Sequence, residues 1–279
     1  MSQIKFIEES HQYFVDGTEY ISATTLIDKY KDDFDQEFWS MYKGFELLLR
    51  DEYGDDVGVA HLNELKTARP FKGVGWFDWA IKTMGYSWDA LKDAQARILQ
   101  KWSNDNDESR ALGSQYHARK ELEAKTKGYA INPFNNQHYW VKKPGDLDNL
   151  DEGYYPELII HDKEYAVIGT ADRVFIGGKK KVWIDDFKSN KEIKKQNMFQ
   201  SMHDPLGKLD DCNYNHYRLQ IGLYAWMLER RGYNIRGISI NHLGEHMKMR
   251  YSSIRPYIQA MVKYHFHGKA TYGFEIYHT

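Results

Sequence analysis

The most chemically loaded stretch of the chain is Val182-Trp183-Ile184-Asp185-Asp186-Phe187-Lys188. Read as a strand, its side chains alternate, so Val182, Ile184, Asp186 and Lys188 share one face and Trp183, Asp185 and Phe187 the other. A carboxylate and an ammonium then stand two residues apart on one surface. A second carboxylate, Asp172, lies in the otherwise small or apolar run Gly169-Thr170-Ala171-Asp172. If the two segments form a hairpin, Asp172 and Asp186 can face each other. Like charges at that distance hold one carboxyl protonated unless a cation lies between them. Oxygen ligands open to water suit a hard cation such as Mg2+. Such a cation would lower the pKa of a water, and Lys188 could hold or deprotonate that water. An isolated D-x-K is also common, and the plainer account is a strand-end salt bridge between Asp172 and Lys188.

Further residues extend the candidate site. Glu157, on a neighbouring strand, can complete the acidic cluster or simply face solvent. Gln220 and Tyr224 stand four apart on a helix and share a face, where they can orient a phosphate or the lysine. The same helix carries Leu219, Leu223, Trp226 and Met227, so Tyr224 also fits an ordinary core. His117 is a candidate metal ligand or phosphate contact, or a surface imidazole paired with Glu121 one turn on. Lys179, Lys180 and Lys181, then Lys191, Lys194 and Lys195, surround this region in sequence. They offer phosphate contacts, or only a solvated face.

The elements that must position these groups are readable in outline. Alternation at residues 11–15, the turn signal Asp16-Gly17 and the return at 19–21 predict a hairpin. Ser22 then caps a helix beginning Ala23-Thr24-Thr25. Residues 32–110 read as mostly helical, with breaks near Gly54, Gly73–Gly75 and Gly85. A helix follows over 109–125, closed by Gly128, and residues 130–153 read as a polar loop. Strands are predicted at 154–160, 165–175 and 181–187, joined by turns at Asp162-Lys163 and Gly177-Gly178. A helix over 214–230, a strand over 235–243 and a helix over 253–265 complete the order. The pattern predicts a mixed α/β fold. Residues 1–108 are expected to form an N-terminal hairpin and helical region packed on a core spanning 109–279.

Bulk properties narrow the function classes. The chain has 279 residues, 42% hydrophobic and 28% charged, enough to bury a sizeable core. No apolar run could span a bilayer, and the N-terminus has no signal-peptide core. The single cysteine, Cys212, excludes an internal disulfide and a cysteine-ligated zinc or iron–sulfur site within one chain. A reducing cytoplasm is the expected compartment. The net charge of −2 neither advertises nor forbids a nucleic-acid partner, since binding needs only a local basic surface. Aromatic residues reach 15%, mostly for packing, with stacking on unpaired bases a use open to a few.

Taken in order, Gly113, His117, Glu157, Gly169-Thr170-Ala171-Asp172, Ile184-Asp185-Asp186-Phe187-Lys188-Ser189 and Gln220-x-x-x-Tyr224 resemble the RecB-like branch of the PD-(D/E)xK nuclease superfamily. The resemblance covers roughly residues 109–265. Trp102, His11, Tyr13, Asp16-Gly17 and Ser22-Ala23-Thr24-Thr25 add a softer likeness to small stand-alone members, often phage-encoded. The resemblance implies a restriction-endonuclease-like core, a central mixed sheet flanked by helices. It implies cleavage of DNA phosphodiesters with Mg2+ or Mn2+, in recombination, repair or phage DNA processing. It places Asp172, Asp186 and the backbone carbonyl of Phe187 on the metal, with His117 as a further ligand and Glu157 on a second metal or its water. Lys188 would position the nucleophilic water, and Gln220 and Tyr224 would support the lysine and the DNA strand. Lys191, Lys194 and Lys195 are the expected DNA contacts. Ala171 stands where the family name has proline, the four cysteines of iron–sulfur members are missing, and no phosphate-binding ATPase loop is present.

The leading expectation is therefore an exonuclease acting at free, single-stranded ends, with DNA and other recombination or replication proteins as partners. A structure-specific endonuclease or resolvase of the same fold is the second. A catalytically inactive DNA-binding protein is the third, although Asp172, Asp186 and Lys188 are all intact. A small-molecule metal hydrolase would show more histidines at close spacing, whereas His216, His242 and His246 are scattered.

Overall fold

The computed structural model describes residues 3–7 and 12–267. Its element order is β1 (Ile4–Ile7), β2 (Gln12–Val15), β3 (Thr18–Ser22), α1 (Ala23–Asp28), α2 (Gln36–Tyr53), α3 (Asp55–Ala68), α4 (Val74–Met84) and α5 (Trp88–Lys127). There follow β4 (Tyr129–Ile131), β5 (His138–Trp140), β6 (Gly153–Asp162), β7 (Val167–Gly177), β8 (Lys181–Lys188), α6 (Asn213–Arg230), β9 (Asn234–His242), β10 (Glu245–Met249) and α7 (Tyr251–His267). This is a mixed α/β fold with a central mixed sheet flanked by helices and a helical N-terminal part. His11, the first residue of the predicted hairpin, lies outside the described residues.

The chain divides into two compact units, one of residues 1–32 with 112–279 and one of residues 33–111. The expected grouping of residues 1–108 as one region therefore does not hold. The reason is β3, which pairs in parallel with β7 through Ile21↔Val167 and Ser22↔Ile168. Helix α1 follows it into the main core with Ala23, Leu26 and Ile27 buried, and Ser22 caps it by accepting a hydrogen bond from the Thr25 N–H. The second unit holds α2, α3, α4 and most of α5 around its own cluster, including Phe45, Leu49, Trp76, Phe77 and Leu91. The breaks at Gly54, Gly73 and Gly85 each have positive φ, as a helix-to-helix turn without a Cβ allows.

In the first unit the sheet is buried on both faces. Val174, Ile176, Val182 and Ile184 pack on one side with α1, α6 and α7. Tyr154, Phe175 and Trp183 pack on the other with Ala124 of α5 and residues of the β4–β5 hairpin. Helix α6 is buried almost all round, from Leu219 and Ile221 to Leu228, the pattern of a central helix. Three local expectations are corrected. Residues 130–153 contain the hairpin β4–β5, whose strands of three residues are too short to show a period. A short β10 pairs with β9 after the turn at Leu243-Gly244. In the β7–β8 turn the positive φ values fall on Lys179 and Lys180, because the sheet register closes at Gly177↔Lys181.

Candidate metal centre and active site

Strand β7 has an irregular partner along one edge. On one side it pairs with β6 along its length. On the other it pairs with β3 at Val167 and Ile168, and with β8 from Arg173 to Gly177. Between these pairings, at residues 169–172, no ladder partner is present on that edge among the described residues. The sheet forks there. Strand β8 continues past the fork on β9, paired as far as Lys188↔His242. The open end is partly closed by a side chain, since Asp172 Oδ2 accepts the Phe187 backbone N–H at 2.7 Å.

At the same level the strands exchange faces. Tyr155, Leu158 and Ile160 of β6 all join the large core, as do Ala171 and Val174 of β7. Strict alternation would put Tyr155 and Leu158 on opposite faces. The residues at the switch, between Pro156↔Arg173 and Leu158↔Ala171, are Glu157 and Asp172. Glu157 carries φ 49°, a left-handed backbone within a strand, which costs a non-glycine residue free energy. Such an outlier held in place by its surroundings is a mark of a functional site.

The switch turns two carboxylates toward α5. His117, Glu157 and Asp172 each offer a ligand atom, and these atoms all lie within 4.8 Å of one another, a group able to hold a metal ion. His117 Nδ1 is 3.5 Å from Asp172 Oδ2. Glu121, the alternative partner of His117, pairs with Lys125 instead. Hydrogen bonding to Asp172 raises the His117 pKa above its ordinary value, against the opposing effect of burial. Burial, reinforced by the Asp172 charge, pushes the Glu157 carboxyl up to about 7. Helix α5 approaches closely at Gly113, where a Cβ would sit 3.3 Å from Ser189 Oγ.

Asp186 and Lys188 occupy the other side of the fork. Asp186 is buried, and its Oδ2 lies 2.5 Å from Lys188 Nζ. That oxygen has an ion-pair neighbour but no hydrogen bond of acceptable geometry. Burial and the Asp172 charge raise the Asp186 pKa, with Lys188 opposing. Lys188 is itself raised, because Asp186 and Asp172 outweigh the effect of burial. The plainer alternative, a salt bridge of Asp172 with Lys188, does not form; Lys188 pairs with Asp186 instead.

Lys188 is held from α6 as well. Its Nζ donates to Gln220 Oε1 at 3.2 Å, and Gln220 Nε2 donates to Tyr224 OH at 2.9 Å. Tyr224 is buried, which raises its pKa. Its ring fits only because Gly169 has no side chain, since a Cβ there would be 2.4 Å from Tyr224 Cε1. Tyr217, one turn before Gln220 and not singled out from the sequence, places its ring 4.7 Å from Lys188 Nζ. Its position on the same face of α6 was the available signal.

The remaining residues sort by place. Phe187 is buried, its ring edge-on to Tyr116 and His117. Asp185 is fully buried and organises the opposite face, pairing with Arg173 at 2.5 Å and with His246 at 3.1 Å. Lys191, Lys194 and Lys195 are exposed and follow Lys188 directly. Lys179, Lys180 and Lys181 do not surround the site. They sit at the far end of β8, about 23 Å from Lys188 at the rise of a strand. His216 pairs with Asp211 and His242 with the Asn190 carbonyl. Trp102 packs against Phe34 in the second unit.

No protein-family model matches the chain, and neither a curated protein nor a solved structure does. Among the described residues, no helix is long and apolar enough to cross a membrane.

Proposed function

We propose that the chain is a metal-dependent deoxyribonuclease of the PD-(D/E)xK type, acting as an exonuclease on DNA ends. The observation that carries this is the fork. It gathers Glu157, Asp172 and His117 on one side and Asp186, Lys188, Gln220 and Tyr224 on the other, from five separate elements. Three carboxylates share this site with only Lys188 and His117 as cationic partners, and burial together with the Asp172 charge raises the pKa of the other two, a strain that a bound cation would relieve.

The donor set fits a hard divalent cation. It is rich in carboxylate oxygen with one imidazole, and Asp186 Oδ2 is buried without a hydrogen bond. Asp172, Glu157 and His117 would hold the ion, with Asp186 and the Phe187 carbonyl at its border. Mg2+ or Mn2+ bound there would supply a more acidic water and neutralise charge on the phosphate. Lys188, with its pKa raised, is a cation at neutral pH. It therefore positions water and stabilises phosphate charge rather than removing a proton. Gln220 is fixed at both ends of its amide, so the lysine is aimed by a chain anchored in the core. The end preference rests on the family resemblance.

The test uses end-labelled linear single- and double-stranded DNA and closed circles, with Mg2+, Mn2+ or EDTA. Linear DNA should shorten from an end only with metal, and Lys188→Ala should lower the rate about 10²–10³-fold. Cleavage of circles at the same rate would replace the exonuclease with an endonuclease. Retention of DNA without cleavage would leave a binding module.

A further inference from the structure

Residues 189–212 join β8 to α6 and begin immediately after Lys188. Near the middle stand Met198, 86% exposed, and Phe199, 93% exposed, the two most exposed large apolar side chains among the described residues. Single exposed apolar residues are ordinary, but two adjacent ones at this exposure are held out by a built scaffold. Asn197 donates its backbone N–H to Asp210 Oδ2 and its side-chain amide to the Asp211 carbonyl, while its Oδ1 accepts the Phe199 N–H. On the far side Asp211 N–H bonds the Gln200 carbonyl, and Met202 N–H the Leu209 carbonyl. Ile193 and Met202 are buried in the main core on either side. The chain thus dips into the core twice and lifts Met198-Phe199 out between.

The surroundings indicate what would cover them. Lys191, Lys194 and Lys195 are exposed just ahead of the tip. The segment is tied to the start of α6, where Tyr214 N–H bonds the Lys194 carbonyl, one turn from the Tyr217 ring beside Lys188. An exposed aromatic ring a few residues beyond a row of exposed lysines, in the segment that leaves β8 at Lys188, matches single-stranded nucleic acid. Cations track the backbone of such a strand and the ring takes a base. We propose that Phe199, backed by Met198, is a stacking platform for an unpaired base of the strand whose phosphates enter the site. This rests on the nuclease reading and adds a specific contact to it.

The test is binding of a labelled polythymidine oligonucleotide in EDTA, where cleavage does not interfere, beside an abasic strand of the same length. Phe199→Ala should weaken polythymidine binding about 5- to 100-fold, and Phe199→Trp should restore it. Neither should change binding of the abasic strand, which keeps the charges and lacks the bases. Equal affinity of the wild type and Phe199→Ala for polythymidine would overturn the proposal, as would an equal loss on the abasic strand. If Phe199→Ala instead abolishes binding to anionic lipid vesicles and leaves DNA affinity unchanged, the tip is a membrane contact and the proposal is wrong. Should the wild type bind neither strand in EDTA, the platform is overturned, while the nuclease reading still stands or falls on cleavage with Mg2+ or Mn2+. A failure confined to the variants removes only the platform.

Discussion

The titration of Glu157 and His117 decides how the site meets a cation. Both pKa values are raised in the metal-free fold, Glu157 to about 7. The stabilisation linked to a raised pKa is complete below the unfolded value and is lost as pH rises through the folded one. For Glu157 that window runs from 4.5 to about 7. A cation must displace these protons, so its hold strengthens as they leave. The melting-temperature increase given by Mg2+ or Mn2+ over EDTA should therefore be larger at pH 8 than at pH 6. Equal increases at both pH values would take Glu157 and His117 out of the metal centre. Asp172, Asp186 and Lys188 were legible because carboxylates and a lysine at these spacings are informative in themselves. Tyr217 was legible only through Gln220, whose face of α6 it shares one turn earlier, since a tyrosine by itself carries no mark of the ammonium it faces.

Among the elements, the fork depends on Gly169. A methyl group there meets the Tyr224 ring, which is buried and cannot retreat. Gly169→Ala should cost about 1–3 kcal/mol in chemical denaturation. It should also lower cleavage by disturbing the Tyr224–Gln220–Lys188 chain. Loss of stability with full activity would mean that this chain does not aim the lysine. The three central strands and α6 could be read from the sequence because each is long enough to show its period or its caps. The face exchange at Glu157 and Asp172 could not, since alternation carries no signal for a residue that breaks it. The sequence set Asp172 opposite Asp186 and offered Glu157 and His117 as further ligands; the exchange groups Asp172 with Glu157 and His117, and its charge still acts on Asp186.

For the whole molecule, the division of the chain makes its first 32 residues part of the unit that holds the candidate site. Deleting them removes the parallel partner of β7 and takes Ala23, Leu26, Ile27 and Tyr30 from the main core. A chain beginning at residue 33 should lose cooperative unfolding by circular dichroism. Cooperative melting of that chain would show that β3 and α1 are dispensable. The sequence located this hairpin and helix but not their destination, because a parallel pairing across so long a separation leaves no local trace. The left-handed backbone of Glu157 bears on the same global stability. Glycine adopts it without the penalty, on the order of 1 kcal/mol, that a side chain incurs, and Glu157→Gly also removes a half-buried carboxyl from two like charges. A random library challenged by heat alone should therefore enrich Glu157→Gly, while selection for DNA cleavage should purge it. Evolution for robustness and evolution for catalysis would pull this one codon in opposite directions.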